Sequence, residues 1–312
     1  MTDASVSEKS SHLSKNGLGI ATMCLSVLLF AFMDTTVKWL GDGYPTSQIV
    51  FFRCGVALVP IFILVMMNGG LVTLKTQRPL VHLMRSTISI VTMSLIFWSF
   101  SQMRLADAIA ILFAAPLLMT ALSVPLLGER VGIRRWIAVC VGFVGVLIVV
   151  NPGSSVFDWA SMAALLAAAG MALAMIITRK LSATETALTI TFWLTLSGAI
   201  VGAIWVYLDG WVMPMATLDW ALLIGVGLIG AIAQLTMTIA FRHAEVAILA
   251  PLDYLAIIWT TLLAYWIWGE IPVLRVFIGA AIVIASGIYI VHRETRVAKV
   301  RPVKTPKLRG RV

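Results

Sequence analysis

Ten stretches of mostly apolar residues follow one another along the chain, with only short polar breaks between them. They fall at about 17–40, 46–68, 79–101, 105–127, 131–151, 157–178, 185–208, 218–241, 245–268 and 271–292. A hydrocarbon core about 30 Å thick takes a helix of roughly 20 apolar residues. Inside lipid, backbone N–H and C=O groups have no water to bond, so helices satisfy them locally and an open sheet would not. The pattern predicts an all-α membrane protein with ten transmembrane helices. A polar tail (1–16) precedes the first run and a basic tail (293–312) follows the last. The first run is too long for a signal-peptide core and lacks a small-residue cleavage pattern, which makes it the first span.

Composition agrees with the pattern. Charged residues are 12% of the 312 and apolar residues 60%, about half the charge share of a soluble domain. The net charge of +9 sits largely in the ends and loops. With the N-terminus in the cytoplasm, the inside segments hold Lys75, Arg78, Arg130, Arg134, Arg135, Arg179, Lys180, Arg242 and the basic tail. The outside segments hold Arg104 and Arg275, with Lys38 near the outer edge. That bias places both termini in the cytoplasm. The tail is read as a topology anchor touching anionic lipid, not as a nucleic-acid binder. Cys24, Cys54 and Cys140 lie inside apolar runs and are read as small core residues.

The sequence repeats itself. Leu127-Gly128-Glu129, followed by Arg134, closes the fourth span, and Trp268-Gly269-Glu270, followed by Arg275, closes the ninth. A small-residue helix follows each. Five spans separate the copies, an odd number, so the halves 17–151 and 157–292 enter the membrane with opposite polarity. Such inverted five-helix repeats put a transport site near the midplane, between the halves. Pro116 and Pro251 interrupt the fourth and ninth spans out of register, which predicts kinks that need not be equivalent.

The two Gly-Glu pairs, Phe52-Arg53 in the second span and Pro116 before the first Gly-Glu resemble the drug/metabolite transporter superfamily, in particular its EamA-type members. The resemblance covers about 17–292. It implies a ten-helix secondary carrier working by alternating access, with no ATPase and no enzymatic activity. Arg78-Pro-Leu-Val-His-Leu-Met-Arg85 and Ala106-Asp107-Ala108 are similar to the branch that contains bacterial riboflavin and S-adenosylmethionine uptake carriers. Riboflavin uptake is the favoured expectation. S-adenosylmethionine uptake and amino-acid or metabolite efflux are alternatives, as is a membrane-embedded lipid-modifying enzyme from a different class.

Charges inside a membrane are costly and face a partner or a cavity. Counting about 1.5 Å per residue puts Asp34 and Arg53 at one depth in the outer half, with Lys38 one turn above Asp34. These three are expected to form one cluster of alternating sign, either structural or coupling. In the inner half Arg85, Gln234 and Asp253 share a depth from three helices. They are the expected substrate-binding set, with an Arg85–Asp253 strut as the alternative. Among the mid-span rings, Trp98 and Tyr254 are the candidates for stacking on a flat heteroaromatic substrate.

Several chemistries are not signalled. There is no Gly-rich phosphate loop followed by Lys-Ser or Lys-Thr. His12, His82, His243 and His292 do not cluster as metal ligands, and no cofactor is implied. The expected partners are a small-molecule substrate and membrane lipid.

Overall fold

The computed structural model describes residues 3–128, 131–151, 159–182, 184–244 and 246–300. Glu129 of the first Gly-Glu motif, Arg130, the end of the basic tail and the side chains of both tails lie outside the described set. Among the described residues there are helices and no strand. In chain order they are α1 (Asp3–Gly41), α2 (Thr46–Met67), α3 (Pro79–Gln102), α4 (Leu105–Leu112), α5 (Ala115–Leu127) and α6 (Ile133–Val150). The second half holds α7 (Trp159–Leu181), α8 (Ala187–Asp209), α9 (Thr217–His243), α10 (Val246–Asp253), α11 (Leu255–Trp268) and α12 (Leu274–Val300). Helix α1 already begins inside the expected polar tail, and α12 runs past the expected end of the last span.

Among the described residues nine segments are long and apolar enough to cross a membrane, one of them being α4 and α5 joined end to end. Helices α10 and α11 follow one another in the same way between α9 and α12. Local chemistry sets the ends. Gly128 (φ 68°) closes α5 and Gly269 (φ 67°) closes α11, both left-handed, a conformation that costs glycine nothing. Pro79 opens α3, where its missing N–H is not needed. Thr186 caps α8 by accepting from the Thr189 N–H at 3.2 Å.

The packing shows the repeat. Helix α1 packs along α9, α10 and α11, and its counterpart α7 packs along α3, α4 and α5. These are two four-helix groups with the same internal arrangement. Two walls join them, α2 against α8 and α6 against α12, each made of one helix from either half. Gly145 and Gly279 meet where α6 crosses α12, and a Cβ on either would lie within 2.7 Å of the other's carbonyl oxygen. Small residues at a crossing let helix backbones approach closely in lipid.

Polar links tie the α2–α8 wall at both ends. At the end of the α1–α2 turn (the turn end), Ser47 donates to Asp209 at 2.7 Å and the Gln48 amide pairs with both backbone groups of Val212. Tyr44 donates to Asp219 at 2.8 Å. Desolvation, and then the Asp219 carboxylate, push this phenol above its ordinary pKa. At the other end, where α1 begins and α12 finishes (the termini end), Thr76 donates to Glu185 at 2.7 Å and Thr189 to the Thr73 carbonyl at 2.8 Å. The indole of Trp193 donates to the Leu74 carbonyl at 3.1 Å.

The two four-helix groups are joined unequally. At the turn end α1 packs on α3 and α4 on α11. The symmetry-related contacts at the termini end, α7 on α9 and α5 on α10, are at most marginal among the described residues. The groups therefore meet at one end and part toward the other.

Candidate functional site

Both interrupted helices break at mid-depth. Helix α4 stops before Phe113 and α10 before Tyr254, and these two residues are 141 positions apart, the same offset as Gly128 and Gly269. The breaks are thus equivalent, although the prolines are not. This corrects the expectation drawn from Pro116 and Pro251. Pro116 lies in the first turn of α5, where its ring clashes with the carbonyl of Leu112 and ends α4. Pro251 lies inside α10, upstream of its break. At the second break Tyr254 lies against Gly287 of α12, where an added Cβ would fall on its hydroxyl.

The two junction residues meet. The rings of Phe113 and Tyr254 are edge to face, with centroids 5.0 Å apart at 76°. They mark the level at which α4 gives way to α5 and α10 to α11. Asp253, just before the break, has an exposed side chain although protein surrounds it. It makes no hydrogen bond or ion pair among the described residues. An accessible carboxylate in the body of a membrane protein lines a polar space, because lipid would not hold it.

Gln234 on α9 is half-buried, and its side-chain amide makes no hydrogen bond among the described residues. Arg85 is placed differently. Its Nε donates to the Thr178 hydroxyl at 2.7 Å, and Nη1 reaches the Ile190 carbonyl at 3.5 Å. It is held by α7 and α8, and the alternative strut to Asp253 is absent. Trp98 is 37% exposed, and its ring meets no other ring among the described residues.

The expected outer cluster is divided. Lys38 does not join Asp34 and Arg53. Its Nζ lies 2.6 Å from Glu270 Oε1, donates to the Met103 carbonyl at 3.2 Å and stands 5.0 Å from the Trp268 ring centroid. The reason is geometric: the glycine cap of α11 turns Glu270 back over the end of α1, a long-range approach that spacing along α1 does not reveal. Asp34 and Arg53 remain electrostatic neighbours but form no ion pair. Arg53 Nε contacts Met33 Sδ at 3.2 Å, and its guanidinium lies across Gly230 of α9, where a Cβ would collide with it.

Sequence reasoning missed three parts of this arrangement: Phe113 as the partner of Tyr254, Glu270 as the partner of Lys38, and the Arg104–Asp107 pair. Arg104 binds Asp107 Oδ2 through Nε at 3.0 Å and Nη2 at 2.9 Å, and donates from Nη1 to the Ile271 carbonyl at 3.2 Å. The constant offset of 141 residues was the signal for the first. Among the described residues no group of three or more His, Cys, Asp or Glu side chains could hold a metal.

Comparison with known proteins follows the same division. The profile of the EamA-like transporter family matches twice, over residues 17–151 and 158–292. A riboflavin transporter of Vibrio cholerae is 28% identical over 281 residues, covering 89% of this chain and 94% of that protein. An S-adenosylmethionine uptake transporter of Rickettsia prowazekii is 27% identical over 281 residues, with the same 89% and 94% coverage. A pseudopaline exporter of Pseudomonas aeruginosa is 28% identical over 274 residues, covering 88% and 93%. A crystal structure of a protein 21% identical superposes with a TM-score of 0.61 over 91% of this chain and 99% of that one, which supports the fold. With both halves matched and the named relatives all transporters, the chain belongs to the EamA-like transporter family: a multi-pass membrane transporter of a small molecule, and not an enzyme.

Proposed function

We propose that this transporter is a secondary carrier of the bacterial inner membrane that takes up riboflavin by alternating access, without ATP. In this reading residues 17–151 and 157–292 are inverted repeats and both termini are cytoplasmic, so the space below the Phe113–Tyr254 pair opens to the cytoplasm. The observation that carries it is the joint between the two broken helices. Two aromatic rings meet there, Asp253 just before the second break has an exposed side chain, and Gln234 on α9 makes no side-chain hydrogen bond among the described residues. Flat rings stack on aromatic side chains, and amide and carboxylate groups read the polar edge of an isoalloxazine and its ribityl hydroxyls. Asp253, Gln234, Tyr254 and Trp98 are proposed as substrate contacts, with Arg85 at the inner mouth and Asp34 and Arg53 at the closed side.

A specific observation favours a second substrate within the same carrier. Asp253 has no ion-pair partner among the described residues, and a cationic substrate such as S-adenosylmethionine would supply one.

Expression in a riboflavin auxotroph that lacks an uptake system tests the first reading. Growth on low external vitamin is expected. No growth despite normal membrane levels, together with accumulation of labelled S-adenosylmethionine in proteoliposomes, would move the assignment to the second. Covalent change of either compound in the vesicles would end the carrier reading.

A further inference from the structure

We propose that Lys38 and Arg104 are reciprocal clasps that shut the turn end, so that the protein rests closed there and open at its termini end. The proposal rests on the carrier reading for its meaning in transport, but the contacts stand without it. In the first clasp Lys38, on the α1 group, is held by Glu270 of its own group at 2.6 Å. It donates across to the Met103 carbonyl of the other group at 3.2 Å. In the second clasp Arg104, beside α4, is held by Asp107 of its own group at 2.9 Å. It donates back across to the Ile271 carbonyl at 3.2 Å. Each group offers one cation, positioned by its own carboxylate, and accepts the other's cation on a carbonyl.

Those carbonyls suit the task. Met103 and Ile271 stand just past the C-terminal ends of α3 and α11, where helix carbonyls lack intrahelical partners and the dipole is negative. Between the clasps Gly41 meets Ser101, and a Cβ on Gly41 would lie 2.7 Å from the Ser101 Cβ. No wider residue fits there while the groups are together.

The closure is not fully satisfied, and that lets it reopen. Asp107 Oδ1, Glu270 Oε2 and Arg275 Nε are buried without a hydrogen bond among the described residues. Each orphaned group offsets part of what the clasps contribute. Arg275 is pressed toward Asp107 here, while its repeat counterpart Arg134 is exposed along an open groove between α6 and α12. The second clasp also has no copy in the other half, since the residues 141 positions after Arg104 and Asp107 are Glu245 and Ile248.

The test needs no substrate, so its failure and that of the carrier reading are distinguishable. Spin labels at Asp42→Cys and Gln102→Cys, both exposed at the turn end, report the distance between the groups in the full chain in lipid, with Cys24, Cys54 and Cys140 replaced. In an otherwise unaltered chain a single short distance is expected. Arg104→Gln should raise the long-distance fraction about tenfold, the effect of losing one charge-assisted hydrogen bond. Asp107→Asn, which leaves Arg104 in place but unheld, should shift it in the same direction by less, and Arg104→Lys should restore part of the closure. Labels at Met67→Cys and Ala187→Cys across the α2–α8 wall must keep their distance, which shows the variants are folded. A turn-end distribution unchanged in Arg104→Gln, or already long in the unaltered chain, overturns the proposal.

Discussion

Tyr254 closes the gap to Phe113 across the repeat axis, the two rings 5.0 Å apart and nearly perpendicular. The hydroxyl of Tyr254 meanwhile rests on Gly287. One residue at the break in α10–α11 thus touches both Phe113 of the other half and Gly287 of α12. Gly287→Ala should destabilise the protein and reduce transport, because a methyl must enter the place of the hydroxyl. The double variant Gly287→Ala with Tyr254→Phe should recover much of the stability. Thermal unfolding in detergent measures both, and a double variant no better than Gly287→Ala would refute the contact.

Replacing Phe113 with alanine removes one ring of the pair. Substrate affinity should fall about two- to tenfold, the range for losing one aromatic stacking contact. Tyr254→Phe should stay within about twofold if the ring rather than the hydroxyl meets the substrate. Titration of substrate into purified carrier, followed by tryptophan fluorescence, gives both values.

Asp253 makes neither an ion pair nor a hydrogen bond among the described residues, so in the proposed function it serves the substrate and not the fold. Asp253→Asn should leave membrane levels and unfolding temperature unchanged while transport drops at least about tenfold. Arg85→Ala behaves differently, because Arg85 is bonded to Thr178 and Ile190. It should lower stability by about 1–2 kcal/mol, as expected for loss of a charge-assisted hydrogen bond. Equal loss of stability in the two variants would contradict this division of roles.

Gly230 leaves room for the Arg53 guanidinium on the face of α9. Gly230→Ala should therefore reproduce the transport defect of Arg53→Gln without touching Arg53 itself. Adding Gly230→Ala to Arg53→Gln should cost little more. Independent, additive defects in the uptake assay would show that the two positions do not act through one contact.

Lys38 and Glu270 form a mostly buried ion pair. Glu270→Gln leaves the ammonium uncompensated and should destabilise by about 3 kcal/mol, whereas the paired change Lys38→Met with Glu270→Leu should cost much less. Denaturation of the two variants side by side decides this.

The all-helical membrane architecture came from the apolar runs alone, because a chain in lipid must satisfy its backbone within each span. The two Gly-Glu motifs revealed the duplication, and the matching left-handed caps at Gly128 and Gly269 follow from glycine's freedom at positive φ. Asp253 and Gln234 were legible as candidates because polar side chains are scarce inside spans. What the sequence could not supply was partners. Lys38 prefers Glu270, which is 232 residues away, over Asp34 one turn below. Arg85 turns to Thr178, and Tyr254 at the second break rests on Gly287 of α12. Only the tertiary structure decided these pairings, and which end of the molecule is shut, because each depends on distances between helices remote in sequence. A near-symmetric pair of repeats can close at either end, and in the clasp proposal the choice rests on a few contacts between residues far apart in sequence, offset in part by the buried polar atoms left unpaired beside them.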